Sequence, residues 1–409
     1  MKKKRIAILA LALACAMSLG ACGGGSGGNS DGSAAGDGDG GAAGTDSAAP
    51  AYVNPYPDNP YYTDETLGTL DPDAASFKKL NLSFATYLPE DNINKYQIQA
   101  IEAKCNARMG ADTITITTYP NGTLLQSADI FDGVVSGTAD LGYVQVGAMT
   151  GRMPLVGLLE TPGLAYTGPE SDTSVIREYI ETLHPEELQG VEVLLPLSGG
   201  LGGFFVNKEI QSVADMKGLQ IRCSALAGEA IKAWGATPVS LDPGEVYEAM
   251  RNGLIDGMWT MAGATTTYKF DEIADYAYIN PFYNQAYMIV ANKGIYDRMA
   301  ARQAEIFREV IDEVWNEVSL WYQIGFDYDE VAQQSFSKMK HVEFMTDALQ
   351  AEFAAPIRPI VESYAANLDK QGLDGAGALA LADSLIAKYN AEYPLDDAAK
   401  DRILKWVKN

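Results

Sequence analysis

Histidine is nearly absent: His184 and His341 are the only two in 409 residues. With so few imidazoles, and with no H-E-x-x-H or paired-His spacing, a zinc centre has no ligand set. Cysteine is almost as scarce, with four residues and no C-x-x-C pair. Cys15 falls in the leader described below, and Cys22 directly follows it. Cys105 and Cys223 sit on apolar faces and are expected as two buried free thiols rather than a disulfide. No G-x-S-x-G elbow and no P-loop occurs, and the glycines between Gly199 and Gly203 do not fit G-x-G-x-x-G. Positive charge is short, with 30 Lys and Arg against 54 Asp and Glu and a net charge of -24. Without a basic stripe to neutralise phosphates, nucleic acid is excluded as a partner. The same acidity repels anions at long range, so a site for an anion needs local positive groups. Carboxylates are plentiful enough that an acid–base pair is not excluded. No catalytic or cofactor motif accompanies them, and the expectation is a non-enzyme without cofactor or metal.

What is present begins with a leader. Lys2, Lys3, Lys4 and Arg5 precede an apolar run over residues 6–17, too short to span a membrane. Residues 1–21 therefore read as a secretion signal. Leu19-Gly20-Ala21-Cys22 resembles a lipobox, which implies a lipid on Cys22 and an extracytoplasmic protein held at the cell membrane. Residues 23–50 contain eleven glycines, and 51–73 are rich in Pro, Tyr and Asp. Such a stretch buries too little surface to offset its chain entropy, so 22–76 reads as a flexible tether.

The pattern changes at residue 77. Residues 80–84 alternate as a strand, a helix follows with Ile98, Ile101, Cys105 and Met109 on one face, and 113–118 alternate again. A helix to Ser136, a stop at Gly137 and a strand over 140–146 complete a parallel α/β unit. The segment Ile130-Phe131-Asp132-Gly133 through Gly137 to Asp140 parallels Val246-Tyr247-Glu248-Ala249 through Gly253 to Asp256. Both read as helix, glycine stop and strand, and the register pairs Tyr143 with Trp259. Two lobes built on one unit would face each other across a cleft, with ligands outside the carboxyl ends of the strands. The fold class expected is α/β, two-lobed and periplasmic-binding-protein-like. Lobe 1 takes about 77–199 and 286–300, and lobe 2 about 200–285. An amphipathic stripe over 301–339 reads as one long lobe-spanning helix. C-terminal helices fill 340–409.

Arg222 stands out within Gly218-Leu219-Gln220-Ile221-Arg222-Cys223. Leu219, Ile221 and Cys223 alternate with it, so the guanidinium leaves the strand opposite the apolar set. A planar fork on a rigid strand suits bidentate capture of a carboxylate, although pairing with a nearby Asp or Glu would give the same pattern.

The order of parts over about 80–339 resembles the DctP-type extracytoplasmic solute-binding proteins of TRAP (tripartite ATP-independent periplasmic) transporters. The motifs that carry the resemblance are Tyr119-Pro120-Asn121-Gly122-Thr123-Leu124, Gly137-Thr138-Ala139-Asp140-Leu141, Ala214-Asp215-Met216-Lys217-Gly218-Leu219-Gln220-Ile221-Arg222, Gly235-Ala236-Thr237-Pro238-Val239 with Glu245-Val246-Tyr247, and Asn252-Gly253-Leu254-Ile255-Asp256-Gly257. The resemblance implies that Arg222 binds a ligand carboxylate, that the lobes close on it, and that membrane permease subunits receive it. Departures narrow the ligand. Met258-Trp259-Thr260-Met261 replaces a more polar family segment, Gly202 stands where some members have a second Arg, and Gln145 replaces an acidic contact. The expected ligand is a small monocarboxylate with an apolar or aromatic body. Trp259, Tyr143 and Phe204 would pack on it, with Thr86, Gln145 and Thr260 as hydrogen-bonding groups. An ABC-importer component, a sensor-linked binding protein and a surface enzyme are the competing readings.

Overall fold

The computed structural model describes residues 67–90, 94–319, 336–398 and 400. The signal, Cys22 and the tether up to residue 66 lie outside these residues, as does the last C-terminal helix beyond residue 400.

The first sheet has the order β2-β1-β3-β10-β4. It contains β1 (Leu80–Ala85), β2 (Ile114–Tyr119), β3 (Leu141–Gln145) and β4 (Val191–Ser198), with β10 (Ala286–Asn292) between the last two. β1, β2 and β3 are parallel, whereas β10 runs antiparallel to both β3 and β4. The second sheet holds β5 (Gly202–Val206), β6 (Gln220–Arg222), β7 (Thr237–Val239), β8 (Gly257–Met261), β9 (Tyr276–Asn280) and β11 (His341–Phe344). Its order is β11-β9-β5-β8-β6-β7.

Each sheet is buried on both faces. On the first, α1 (Asn94–Met109) and α6 (Ala301–Val314) pack Ile98, Ile101, Cys105, Ile306 and Val310 against Leu82, Phe84 and Ile289. The opposite face takes α2 (Ile130–Val135) and α3 (Pro169–Leu183), with α8 (Arg358–Lys370) and α9 (Gly375–Glu392) outside them. On the second sheet, α4 (Gly228–Ala233) and α7 (Asp347–Ala354) cover Phe204, Ile221 and Trp259, and α5 (Val246–Arg251) covers Phe205 and Met258. Cys105 and Cys223 are separate, buried free thiols.

The repeated segments share one geometry. In the first, Gly137 has φ +79°, and Asp140 Oδ2 accepts from Ser83 N of the neighbouring parallel strand (2.8 Å). In the second, Gly253 has φ +70°, and Asp256 Oδ2 accepts from Gln220 N of its own parallel neighbour (2.7 Å). Both aspartates therefore tie a helix–strand unit to the strand beside it.

The stripe over 301–339 begins as α6, which passes directly into π-helical winding at Trp315–Ser319. Residues 320–335 lie outside the described residues. The C-terminal part is not helical throughout: β11 pairs in parallel with β9, His341 against Tyr276, and carries His341 into a strand.

Candidate functional site

The parallel strands of both sheets end on the edges that the chain crosses between. One crossing is 199–201, from β4 to β5, and the other is 281–285, from β9 to β10. Gly199 N donates to Gln285 O (2.7 Å), so the crossings lie side by side.

Two buried acids hold them. Glu160 Oε1 accepts from Gly147 N and from Ala286 N, each at 2.9 Å. Asp172 Oδ2 accepts from Ser198 Oγ (2.6 Å), and that oxygen accepts from Gly200 N (2.7 Å). Burial pushes the Glu160 carboxyl up to about 8, against the pull of its two backbone donors. It pushes Asp172 well above the usual carboxylate range, against the Ser198 bond.

Arg222 is the last residue of β6 and is partly buried. Leu219, Ile221 and Cys223 face the core beneath α4, so alternation turns Arg222 to the other face. Arg222 Nε donates to the Leu241 carbonyl (3.1 Å), which orients the guanidinium. Among the described residues, nothing accepts from Nη1 or Nη2 and no carboxylate pairs with them. An oriented fork with its outer nitrogens free is poised for a carboxylate.

The first sheet presents a tyrosine ladder. Tyr143 and Tyr287 stack with ring centroids 5.3 Å apart, and Tyr87 tilts on Tyr143 at 5.8 Å. β3 and β10 set this up by pairing Tyr143 with Ile289 and Gln145 with Tyr287. Tyr287 Oη donates to Gln285 Oε1 (2.6 Å), and Tyr87 Oη approaches Gln145 Oε1 at 3.4 Å. Thr86 is buried, and its hydroxyl accepts from Leu88 N (3.2 Å), shaping the loop after β1.

Phe204 and Trp259 differ from their expected places on a ligand. They sit opposite each other across β5 and β8, so both side chains point to one inner face. There they stack at 5.5 Å, and Trp234 packs edge-on against Trp259 at 4.8 Å. Phe353 tilts against Phe204 at 5.5 Å. Both are fully buried, and their ring faces belong to the core. Trp259 keeps one polar handle, since its buried Nε1 has no acceptor among the described residues. Thr260 points to the opposite face from Trp259 and is also buried.

Tyr283, in the second crossing, is a buried residue against the second sheet that the sequence did not disclose. Its ring covers Gly202: a Cβ there would lie 2.4 Å from Tyr283 Cβ. It meets Trp259 edge-on at 5.2 Å. Its hydroxyl is buried, with the Thr260 side chain within its reach. Burial raises its pKa, against the nearby Arg222 charge and Thr260, so the hydroxyl stays protonated. The one signal was the missing side chain at Gly202, which marks space without saying what fills it. Among the described residues no group of three or more His, Cys, Asp or Glu could hold a metal ion.

The family model described as bacterial extracellular solute-binding protein, family 7, matches residues 84–367. The ectoine/5-hydroxyectoine-binding periplasmic protein of Ruegeria pomeroyi is 23% identical over 272 residues, covering 64% of this chain and 79% of that protein. The monocarboxylate 2-oxoacid-binding periplasmic protein of a Nostoc species is 24% identical over 221 residues, covering 50% of this chain and 58% of that protein. Among solved structures, a TRAP solute-binding protein of Rhodoferax ferrireducens, in complex with copurified benzoate, superposes with a TM-score of 0.67 at 21% identity. That match covers 77% of this chain and 99% of the other.

Proposed function

The chain belongs to the bacterial extracellular solute-binding proteins of family 7, and from that premise we propose that it captures a small organic carboxylate between its lobes. It works outside the cytoplasm, tethered through a lipid on Cys22, and delivers the acid to the permease subunits of a TRAP transporter. The observation that carries the ligand class is Arg222: an oriented guanidinium at the strand ends whose outer nitrogens have no partner among the described residues. In a chain of net charge -24, a partly buried cation with no carboxylate partner among the described residues is the local attraction that an anion needs.

The favoured ligand is a monocarboxylate with an aromatic or apolar body. Arg222 takes the carboxylate. The Tyr87–Tyr143–Tyr287 ladder, rather than Trp259, receives the body. Gln145 and Thr260 supply polar contacts at the two strand edges. The benzoate held by the Rhodoferax relative is an acid of this class.

The test is a thermal-shift screen of the folded domain against aryl and alkyl monocarboxylates and their methyl esters. An acid at 100 times its dissociation constant stabilises by about 2.7 kcal/mol. The acids should raise the melting temperature and the esters should not; no response to any acid at millimolar concentration contradicts the reading. Loss of lipid labelling in Cys22→Ser checks the anchor.

A further inference from the structure

We infer that Asn121 and Gly122 are positioning residues for Tyr87, and that through Tyr87 their turn sets how strongly the site takes the aromatic or apolar body of its ligand. This rests on the proposed placement of that body on the Tyr87–Tyr143–Tyr287 ladder, and it names what holds the ladder's outermost ring.

Of the three rings, Tyr143 and Tyr287 are buried and Tyr87 is only partly so. A ligand body therefore meets Tyr87 first, and the space left for it depends on where that ring stands. Strand pairing does not fix the ring. β1 ends at Ala85, which is also the last residue in register with β2. Tyr87 lies in the loop beyond.

The turn after β2 supplies what the strands do not. Thr86 N donates to Tyr119 O (3.1 Å), Gly122 N donates to Thr86 O (3.0 Å), and Asn121 N donates to Leu88 O (2.9 Å). These bonds fall on the residues on either side of Tyr87, so the backbone that carries the ring is held before and after it. Two of the three donors are consecutive residues with positive φ, Asn121 at +56° and Gly122 at +65°. Thr123 N closes the turn on Pro120 O (3.1 Å). Asn-Gly is the pair that adopts such a double left-handed turn most readily. Gln126 Nε2 donates to the Gly122 carbonyl (2.9 Å) and ties the turn to the segment before α2. A residue that resists positive φ at position 121 withdraws its N–H from Leu88 and releases the far side of Tyr87. The Asn121 side chain is itself exposed, so its replacement acts through the backbone. With the turn intact, the Tyr87 ring is set against Tyr143 at 5.8 Å before any ligand arrives, and a surface ordered in advance loses less on binding.

The experiment measures calorimetric dissociation constants of 3-phenylpropanoate and butanoate for wild type, Asn121→Gly, Asn121→Ala, Asn121→Val and Tyr87→Ala, with a thermal melt of each unliganded protein. The two acids share a carboxylate and differ in the body. Wild type should prefer the aryl acid by several-fold, as ring packing does. Asn121→Gly keeps the left-handed backbone and should keep that ratio. Asn121→Ala should lower it, and Asn121→Val should lower it further, by roughly threefold or more, because a β-branched residue is the worst fit to positive φ. A turn with a structural role alone would lower the melting temperature of Asn121→Val and leave the ratio as in wild type, which overturns the inference. Should Asn121→Val not fold, Asn121→Ala against Asn121→Gly decides by the same criterion. An equal fall in Asn121→Gly and Asn121→Val also overturns it, since glycine preserves the turn. A ratio lowered by Tyr87→Ala but untouched across the Asn121 series overturns the positioning role and leaves the ladder reading standing. A ratio that Tyr87→Ala leaves unchanged overturns both, as does failure of wild type to bind either acid.

Discussion

Arg222 and Glu160 show opposite ways of keeping an ionisable side chain inside a fold. Arg222 sets its Nε on the Leu241 carbonyl and leaves its outer nitrogens without an acceptor among the described residues. Its direction was legible because Leu219, Ile221 and Cys223 fix the alternation around it. Glu160 is neutral instead, since burial lifts its carboxyl from an ordinary 4.5 to about 8. Between those two values the folded protein keeps a proton that the unfolded chain has released. Stability therefore falls as pH rises from about 4.5 towards 8, by up to about 1.4 kcal/mol per pH unit. Asp172 is raised too and acts in the same direction. Glu160→Gln keeps an acceptor for Gly147 N and Ala286 N. Urea unfolding at pH 5 and pH 8 should show a smaller loss in this variant than in wild type; an equal loss would mean that Glu160 is already charged. Nothing in the sequence around Glu160 announced this. Its burial is created by β10 and the crossing before it, which arrive 126 residues later.

The repeated helix–glycine–strand unit was the most legible element, because its signals are local. A left-handed glycine stops the helix, and an aspartate three residues on ties the next strand to its neighbour. At Gly253 an added Cβ would meet nothing within 4 Å, so the positive φ alone sets the cost of a side chain. Gly253→Ala should lower unfolding free energy by about 1 kcal/mol, and Gly253→Asn by less, since Asn tolerates that region. Equal costs in a denaturant titration would argue against a left-handed stop. β9 and β11 were missed for the opposite reason. Tyr276 to Asn280 carries large side chains on both faces, and both faces are covered, so no polar–apolar alternation marks it. β11 has four residues and exists because β9 offers it an edge. Trp259 and Phe204 read as cleft residues because their strands were recognised. Which face those strands bury depends on Trp234 and Phe353, which reach them from α4's C-terminal end and from α7.

For the whole molecule, the sheets and their covering helices make the lobes, and the two crossings join them. Glu160 holds the start of β10, and Asp172 holds the end of β4 through Ser198. On the proposed reading, the edges bearing Arg222 and the tyrosine ladder would approach as the lobes close on a ligand. That division into lobes was foreseeable from the repeat, whereas the tyrosine ladder and Tyr283 depend on where the second crossing lies. The account turns on Arg222 as the anchor for a carboxylate. Its most direct test is isothermal titration of the best acid from the screen into wild type and Arg222→Ala. Removing one partner of a desolvated ion pair costs about 2 kcal/mol or more, so the account predicts a dissociation constant raised roughly thirtyfold or beyond in a variant that remains folded. An unchanged dissociation constant in Arg222→Ala would contradict it.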